Sequence, residues 1–150
     1  RWRAATLRLR PLPAGAWPWL ALAALALVAA AACALVVTPR FIPLPLDRDD
    51  PVTRYLARPY GVAAVFVAAV AVAPLLEELL FRGWLQRSLE RRLAPAVAIA
   101  LTATLFAAAH ADAFGFPLRT ALGVATGYAA WRTRTIWPSV ALHAAYNGAL

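Results

Sequence analysis

The chain has 150 residues, 63% of them hydrophobic, and a mean hydropathy of +0.65. Soluble domains are about 45–50% apolar, so the composition excludes an ordinary water-soluble globule and reads as a single integral membrane domain over 1–150. The net charge of +8 rests on fifteen arginines, but they sit in short clusters between apolar runs, as topology-setting loop charges do, which argues against nucleic acid as a partner.

In chain order, Arg1, Arg3, Arg8 and Arg10 precede an uncharged run over 16–38. The run is long enough to cross a hydrocarbon core of about 30 Å. It is too long for a signal peptide and has no clear cleavage site. It reads as a retained N-terminal anchor span, with Trp17 and Trp19 at the interface and Cys33 as a small, buried, inert residue. The chain opens on Arg1 without an initiator methionine, which reads as a trimmed chain. Residues 39–59 form a proline-rich polar loop. Its Asp47, Asp49 and Asp50 lack the glycine and ligand spacing of a calcium loop and read as a solvated turn.

A second apolar segment, 60–81, carries PLLEELLFRG from Pro74 to Gly83. Pro74 removes a backbone donor and is expected to bend the helix. Residues 82–93 look amphipathic, with Leu85, Leu89 and Leu93 on one stripe, and predict a separate interfacial helix. Pro95 opens a third segment, 96–109, at a favoured first-turn position. A turn at 112–117 leads to a fourth segment, 118–131, where Gly123 and Gly127 have the spacing of closely packed membrane helices. A fifth begins at Ile136. The fold class is therefore all-α and polytopic, with about four to five transmembrane helices plus an amphipathic helix and a core over 60–150. The arginine clusters predict a cytoplasmic N-terminus.

Glu77 and Glu78 are the informative residues. Carboxylates at membrane depth are expensive, so their default reading is functional. Glu78 and Arg82 are four residues apart on one helix face and can pair. The chain has two histidines, His110 and His143, and the intervals Glu77 to His110 and His110 to His143 are equal. Fold-backs near 93–94 and within the fourth segment would bring all three to similar depth. A shielded carboxylate and histidine can hold and deprotonate a water. A second histidine with Asn147, four residues on, offers two donors to a developing oxyanion. These parts describe peptide-bond hydrolysis. Ser88, Ser139 and Cys33 are poorly placed as nucleophiles, with Ser139 expected near an interface. Phe106 and Tyr146 read mainly as packing residues.

EELLFR, FAAAH (Phe106–His110) and HAAYN (His143–Asn147) follow the EExxxR, FxxxH and HxxxN motifs in order. The chain resembles the CAAX-protease and bacteriocin-processing (CPBP, or Abi) family of intramembrane proteases. The resemblance implies a helical endopeptidase of the cell membrane, bacterial inner membrane in this reading, acting on a membrane-associated protein or peptide. It implies that Glu77 and His110 activate water, His143 and Asn147 stabilise the oxyanion, and Glu78 and Arg82 support the site. The rival is a non-catalytic binding or bacteriocin-immunity protein of the same family. Glu77, His110 and His143 could also hold a catalytic zinc. The absence of a tight ligand pair, and of a carboxylate evidently placed to orient either histidine, favours a metal-free glutamate mechanism without a cofactor.

Overall fold

The computed structural model describes residues 9–11, 14–37, 40, 54 and 57–149. Among these residues the fold is all-helical. It comprises α1 (Trp17–Val37), α2 (Gly61–Leu89), α3 (Pro95–Ala108), α4 (Phe116–Thr133) and α5 (Trp137–Ala149). Asp47, Asp49 and Asp50, and the expected turn they form, lie outside the described residues. Helix α2 is long and apolar enough to cross a membrane by length and composition, while the apolar stretches Trp17–Ala29 and Pro95–Ala108 are shorter. At 1.5 Å per residue, α2 measures about 44 Å, more than a hydrocarbon core of about 30 Å.

The amphipathic helix expected over 82–93 is not a separate element. Helix α2 runs through Arg82 to Leu89, and a short turn then leads to Pro95, the first residue of α3. Nor do Leu85, Leu89 and Leu93 form the inner face: the first two are half-buried and Leu93 is exposed. Besides Gly61 and Gly83, the buried positions are Pro74, Glu78, Arg82 and Gln86, spaced by four. Phe66, Leu76, Leu80 and Trp84 face outward. This is the arrangement expected of a helix in lipid. Apolar groups lose nothing by facing it, whereas polar groups must find partners inside the protein.

Two π-helical stretches, Ala68–Val72 and Leu79–Gln86, flank the α-helical Ala73–Glu78 that bears both glutamates. The first absorbs Pro74, so the chain stays helical through it. The Ala73 N–H reaches back five residues to the Ala68 carbonyl. The next donor in that ladder would be residue 74, a proline without an N–H, so the Ala69 carbonyl is left to be satisfied from another helix.

Helices α3 and α4 pack closely through the predicted glycine pair. A Cβ on Gly123 would lie 2.8 Å from the Ala103 Cα, and one on Gly127 would lie 3.1 Å from the Ile99 Cγ2. The same closeness exposes two carbonyls to α2. Arg82 Nη2 donates to Gly123 O and Gln86 Nε2 to Gly127 O, each at 3.0 Å. Helix α1 adds Leu20 and Leu27 to a cluster with Phe106, Leu122, Leu142 and Tyr146. Cys33, expected to be buried, is exposed; a small soft side chain on the outer face of an apolar helix needs no protein partner.

Arg10 and Arg134 lie at one end of the bundle, with the α2–α3 turn. Thr135 Oγ1 donates to the Arg10 carbonyl, and Arg134 Nη1 lies 3.9 Å from Glu90 Oε2, next to Arg91 and Arg92. Glu77 is twelve residues up α2 from Leu89, about 18 Å from that end.

Candidate active site

The first fold-back occurs: helix α3 returns from the turn after α2 and ends beside Glu77. The second does not fall within the fourth segment, which is the unbroken helix α4; the chain turns instead at 134–136, and the α4–α5 hairpin brings His143 to the same level. Glu77 Oε2 lies 4.0 Å from His110 Nε2 and 3.8 Å from His143 Nε2. These gaps are too long for hydrogen bonds, and Glu77 Oε2 is buried with no hydrogen-bond partner.

Each histidine is held by its other nitrogen. His110 Nδ1 donates to the Phe106 carbonyl at 2.8 Å; a carbonyl only accepts, so the proton is on Nδ1 and a neutral ring presents Nε2 as an acceptor. Helix α3 ends there by tightening, with His110 and Ala111 donating three residues back and Ala111 turning left-handed at φ 50°. A left-handed alanine is strained, and such strain persists where the surroundings impose it. His143 Nδ1 donates to Glu78 Oε1 at 2.9 Å, which turns its Nε2 toward Glu77. The Phe106 ring meets both imidazoles edge-on, with centroids 4.9 Å from His110 and 5.4 Å from His143. Phe106 is a packing residue, as expected, and what it packs is the pair of histidines.

Glu78 therefore has two partners. Arg82 Nε is 3.2 Å from Glu78 Oε2, with both side chains fully buried. Its alignment falls short of a hydrogen bond, but the charges compensate each other, and the Arg82 guanidinium also lies 4.8 Å above the Phe106 ring. The sequence pairs Glu78 with Arg82 alone and finds no carboxylate to orient a histidine. The structure corrects this: Glu78 orients His143. The π-helical stretch beginning at Leu79 and the approach of α5 bring the two together across 65 residues, a relation that no local spacing encodes.

A cavity of about 290 Å³ opens beside these groups, lined by Glu77, His110 and His143 together with Arg119, Tyr146 and Asn147. Asn147 is brought here too, but its Nδ2 donates to the Ala69 carbonyl at 2.7 Å. That is the carbonyl left without a ladder donor by Pro74. One amide N–H thus locks α5 to α2, and one remains for the cavity. Ser139, expected near an interface, is fully buried and donates to Thr126 O at 2.7 Å. Tyr146 both packs and lines the cavity.

Arg119 and Gln86 escape the sequence reading. Gln86 falls in the stretch read as an amphipathic interfacial helix, yet it is fully buried between α2 and α4. Arg119 looks like an isolated loop charge. It pairs with Asp112, which also accepts from the Phe114 and Gly115 backbone N–H groups. The Arg119 hydrogen bond, followed by those backbone bonds, holds the Asp112 carboxyl below the usual carboxylate range despite partial burial. The stabilisation this turn gains is fully present above the unfolded value of about 3.9 and is lost as pH falls through the lowered one.

Ligands about 2.0–2.1 Å from a tetrahedral zinc stand about 3.3–3.4 Å apart, less than the 3.8 and 4.0 Å found. A water oxygen about 2.8 Å from each partner fits those gaps, and its two hydrogens can serve two of the three acceptors.

Comparison with known proteins adds one match. The family model for the type II CAAX prenyl endopeptidases, Rce1-like, covers residues 59–149. No curated protein and no solved structure matches the chain.

Proposed function

Because this chain belongs to the Rce1-like type II CAAX prenyl endopeptidase family, a family of membrane proteases that act on membrane-associated proteins, we propose that it is an intramembrane endopeptidase in which Glu77 and His110 activate a water and His143 and Asn147 stabilise the oxyanion. The observation that carries this reading is the buried, unpartnered Glu77 Oε2 facing two Nε2 atoms at 3.8 and 4.0 Å.

In this mechanism the Glu77 carboxylate takes a proton from the water while His110 Nε2 accepts the second hydrogen and fixes the lone pair toward the scissile carbonyl. The water oxygen bonds to the carbonyl carbon, and the carbonyl oxygen becomes an oxyanion. The free N–H of Asn147 donates to it. His143 can add a donor at Nε2 in its doubly protonated form, since Nδ1 already serves Glu78. The C–N bond then breaks, and the proton taken by Glu77 passes to the leaving amine. His143 is almost fully buried, whereas the Glu77 and His110 side chains are each 30% exposed on the cavity side, where a substrate would have to cover them to exclude bulk water.

Purified protein in lipid vesicles should cleave a farnesylated reporter peptide at an internal bond, and prolonged chelation should leave the rate unchanged. No cleavage of any prenylated or unprenylated membrane-anchored reporter would refute the endopeptidase reading. Activity lost on chelation and restored by stoichiometric zinc would keep it but replace glutamate activation by metal activation. Asn147→Ala should lower kcat by about 10²-fold through the lost oxyanion donor. It should also lower thermal stability by about 1–3 kcal/mol, because the Ala69 carbonyl is left unsatisfied. Unchanged kcat would leave Asn147 only its structural bond.

A further inference from the structure

A second cavity, of about 440 Å³, lies between the start of α1 and the end of α4, lined by Gly15, Ala16, Trp19, Tyr128, Arg132 and Thr133. It shares no lining residue with the catalytic cavity. Along α4, Arg132 is about 20 Å from Arg119. The cavity sits at the arginine-bearing end of the bundle. Arg134 flanks it, and Thr135 next to that donates to the Arg10 carbonyl. No carboxylate lines it. The Arg132 guanidinium, the Trp19 indole and the Tyr128 hydroxyl all carry hydrogen-bond donors, and none of the three donates to a described residue. Carbonyls at the end of α4 would repel an anion, but two of them are taken up. Thr133 Oγ1 donates to the Ala129 carbonyl at 2.7 Å, and the Arg134 N–H donates to the Ala130 carbonyl at 3.0 Å. A cavity rich in free donors and lined by an unpaired cation suits an anion with several acceptor oxygens.

We propose that this cavity binds the phosphate headgroup of an anionic phospholipid, with Arg132 as its charged ligand and Trp19 and Tyr128 as an aromatic rim. The planar guanidinium matches two phosphate oxygens at once. Tryptophan and tyrosine settle at headgroup level because one edge is apolar and the other polar. Basic pockets between membrane helices take anionic headgroups for the same electrostatic reason. The walls beyond the cavity favour a lipid over free phosphate. One turn along α4 from Tyr128, Val124 is exposed, and one turn along α1 from Trp19, Leu22 is exposed. Acyl chains lie against such surfaces, whereas a free anion leaves them uncovered. Because the cavity takes residues from both α1 and α4, a bound headgroup holds the two helices together and stabilises the folded chain by mass action.

The test titrates the purified protein in neutral detergent micelles with phosphatidylglycerol, phosphatidylcholine or inorganic phosphate. Native mass spectrometry counts the bound lipid, and thermal unfolding is followed beside it. The wild type should take up phosphatidylglycerol with about 10-fold higher affinity than phosphatidylcholine, as expected for a charge-assisted contact. Its unfolding temperature should rise as the site fills. Arg132→Gln should bring phosphatidylglycerol down to the level of phosphatidylcholine. Arg132 is exposed and makes no ion pair among the described residues, so this variant should fold as the wild type does. Arg92→Gln removes an equal charge at the α2–α3 turn, outside the cavity, and should leave the preference intact. Equal affinity for the two lipids, or a preference that survives Arg132→Gln, would overturn the proposal. So would an equal loss in Arg92→Gln, which would leave only a general attraction between arginines and anionic lipid. Inorganic phosphate that matches phosphatidylglycerol in affinity and in thermal stabilisation would overturn it too, by making the anion alone the ligand. None of these measurements depends on proteolysis, so the lipid site stands or falls apart from the endopeptidase reading.

Discussion

Glu77→Gln should lower kcat by about 10²- to 10⁴-fold, some 3–5 kcal/mol of barrier, with KM nearly unchanged. The amide keeps the size of the side chain and can still meet His110 Nε2 and His143 Nε2 by donating to one of them, so the fold and the cavity survive. What it loses is the ability to accept the water's proton. A water between Glu77 and His110 donates one hydrogen to each; a glutamine offers its own N–H instead and competes for the same place. Single-turnover cleavage and peptide affinity measured on the same preparation check both halves of the prediction. A variant that hydrolyses at the wild-type rate would move the base elsewhere, and one that no longer binds peptide would give Glu77 a binding role.

Glu78→Ala should be the most destabilising single change at the site, by about 3–5 kcal/mol, because it leaves the fully buried Arg82 without its counter-charge. It should abolish activity as well, since His143 loses the acceptor that aims its Nε2 at Glu77. Loss of folding and loss of orientation are separable. The double variant Glu78→Leu with Arg82→Met replaces the ion pair by apolar groups of similar volume and should recover most of the lost stability, while activity stays absent because His143 remains unoriented. Thermal unfolding in micelles, with cleavage assayed beside it, gives the result. A stable Glu78→Ala protein would show that Arg82 is satisfied well enough by the Gly123 carbonyl alone. An active double variant would show that Glu78 does not aim His143.

By itself, the sequence determined the class and the set of residues to watch. Charge-free runs separated by arginine clusters require helices in lipid, since only internal hydrogen bonding satisfies a backbone there. Glu77, Glu78 and Arg82 stand out because nothing else in a long apolar stretch carries charge. The glycine pair in α4 is legible because close helix packing needs small residues at that spacing. Tertiary structure decided which partner each polar group takes. Glu78 meets His143 across 65 residues and Asn147 meets Ala69 across 78; such pairings follow from the winding of α2, where π-helical turns shift side chains off the regular helical period. The inner face of α2 was misread for a related reason. Leucine periodicity marks the buried side of a helix in water, but in lipid apolar residues gain little by turning inward, and the groups that must be buried are Glu78, Arg82 and Gln86. Arg119 gave no signal because its meaning lies in what surrounds it: a carboxylate that pins it and a cavity that it lines.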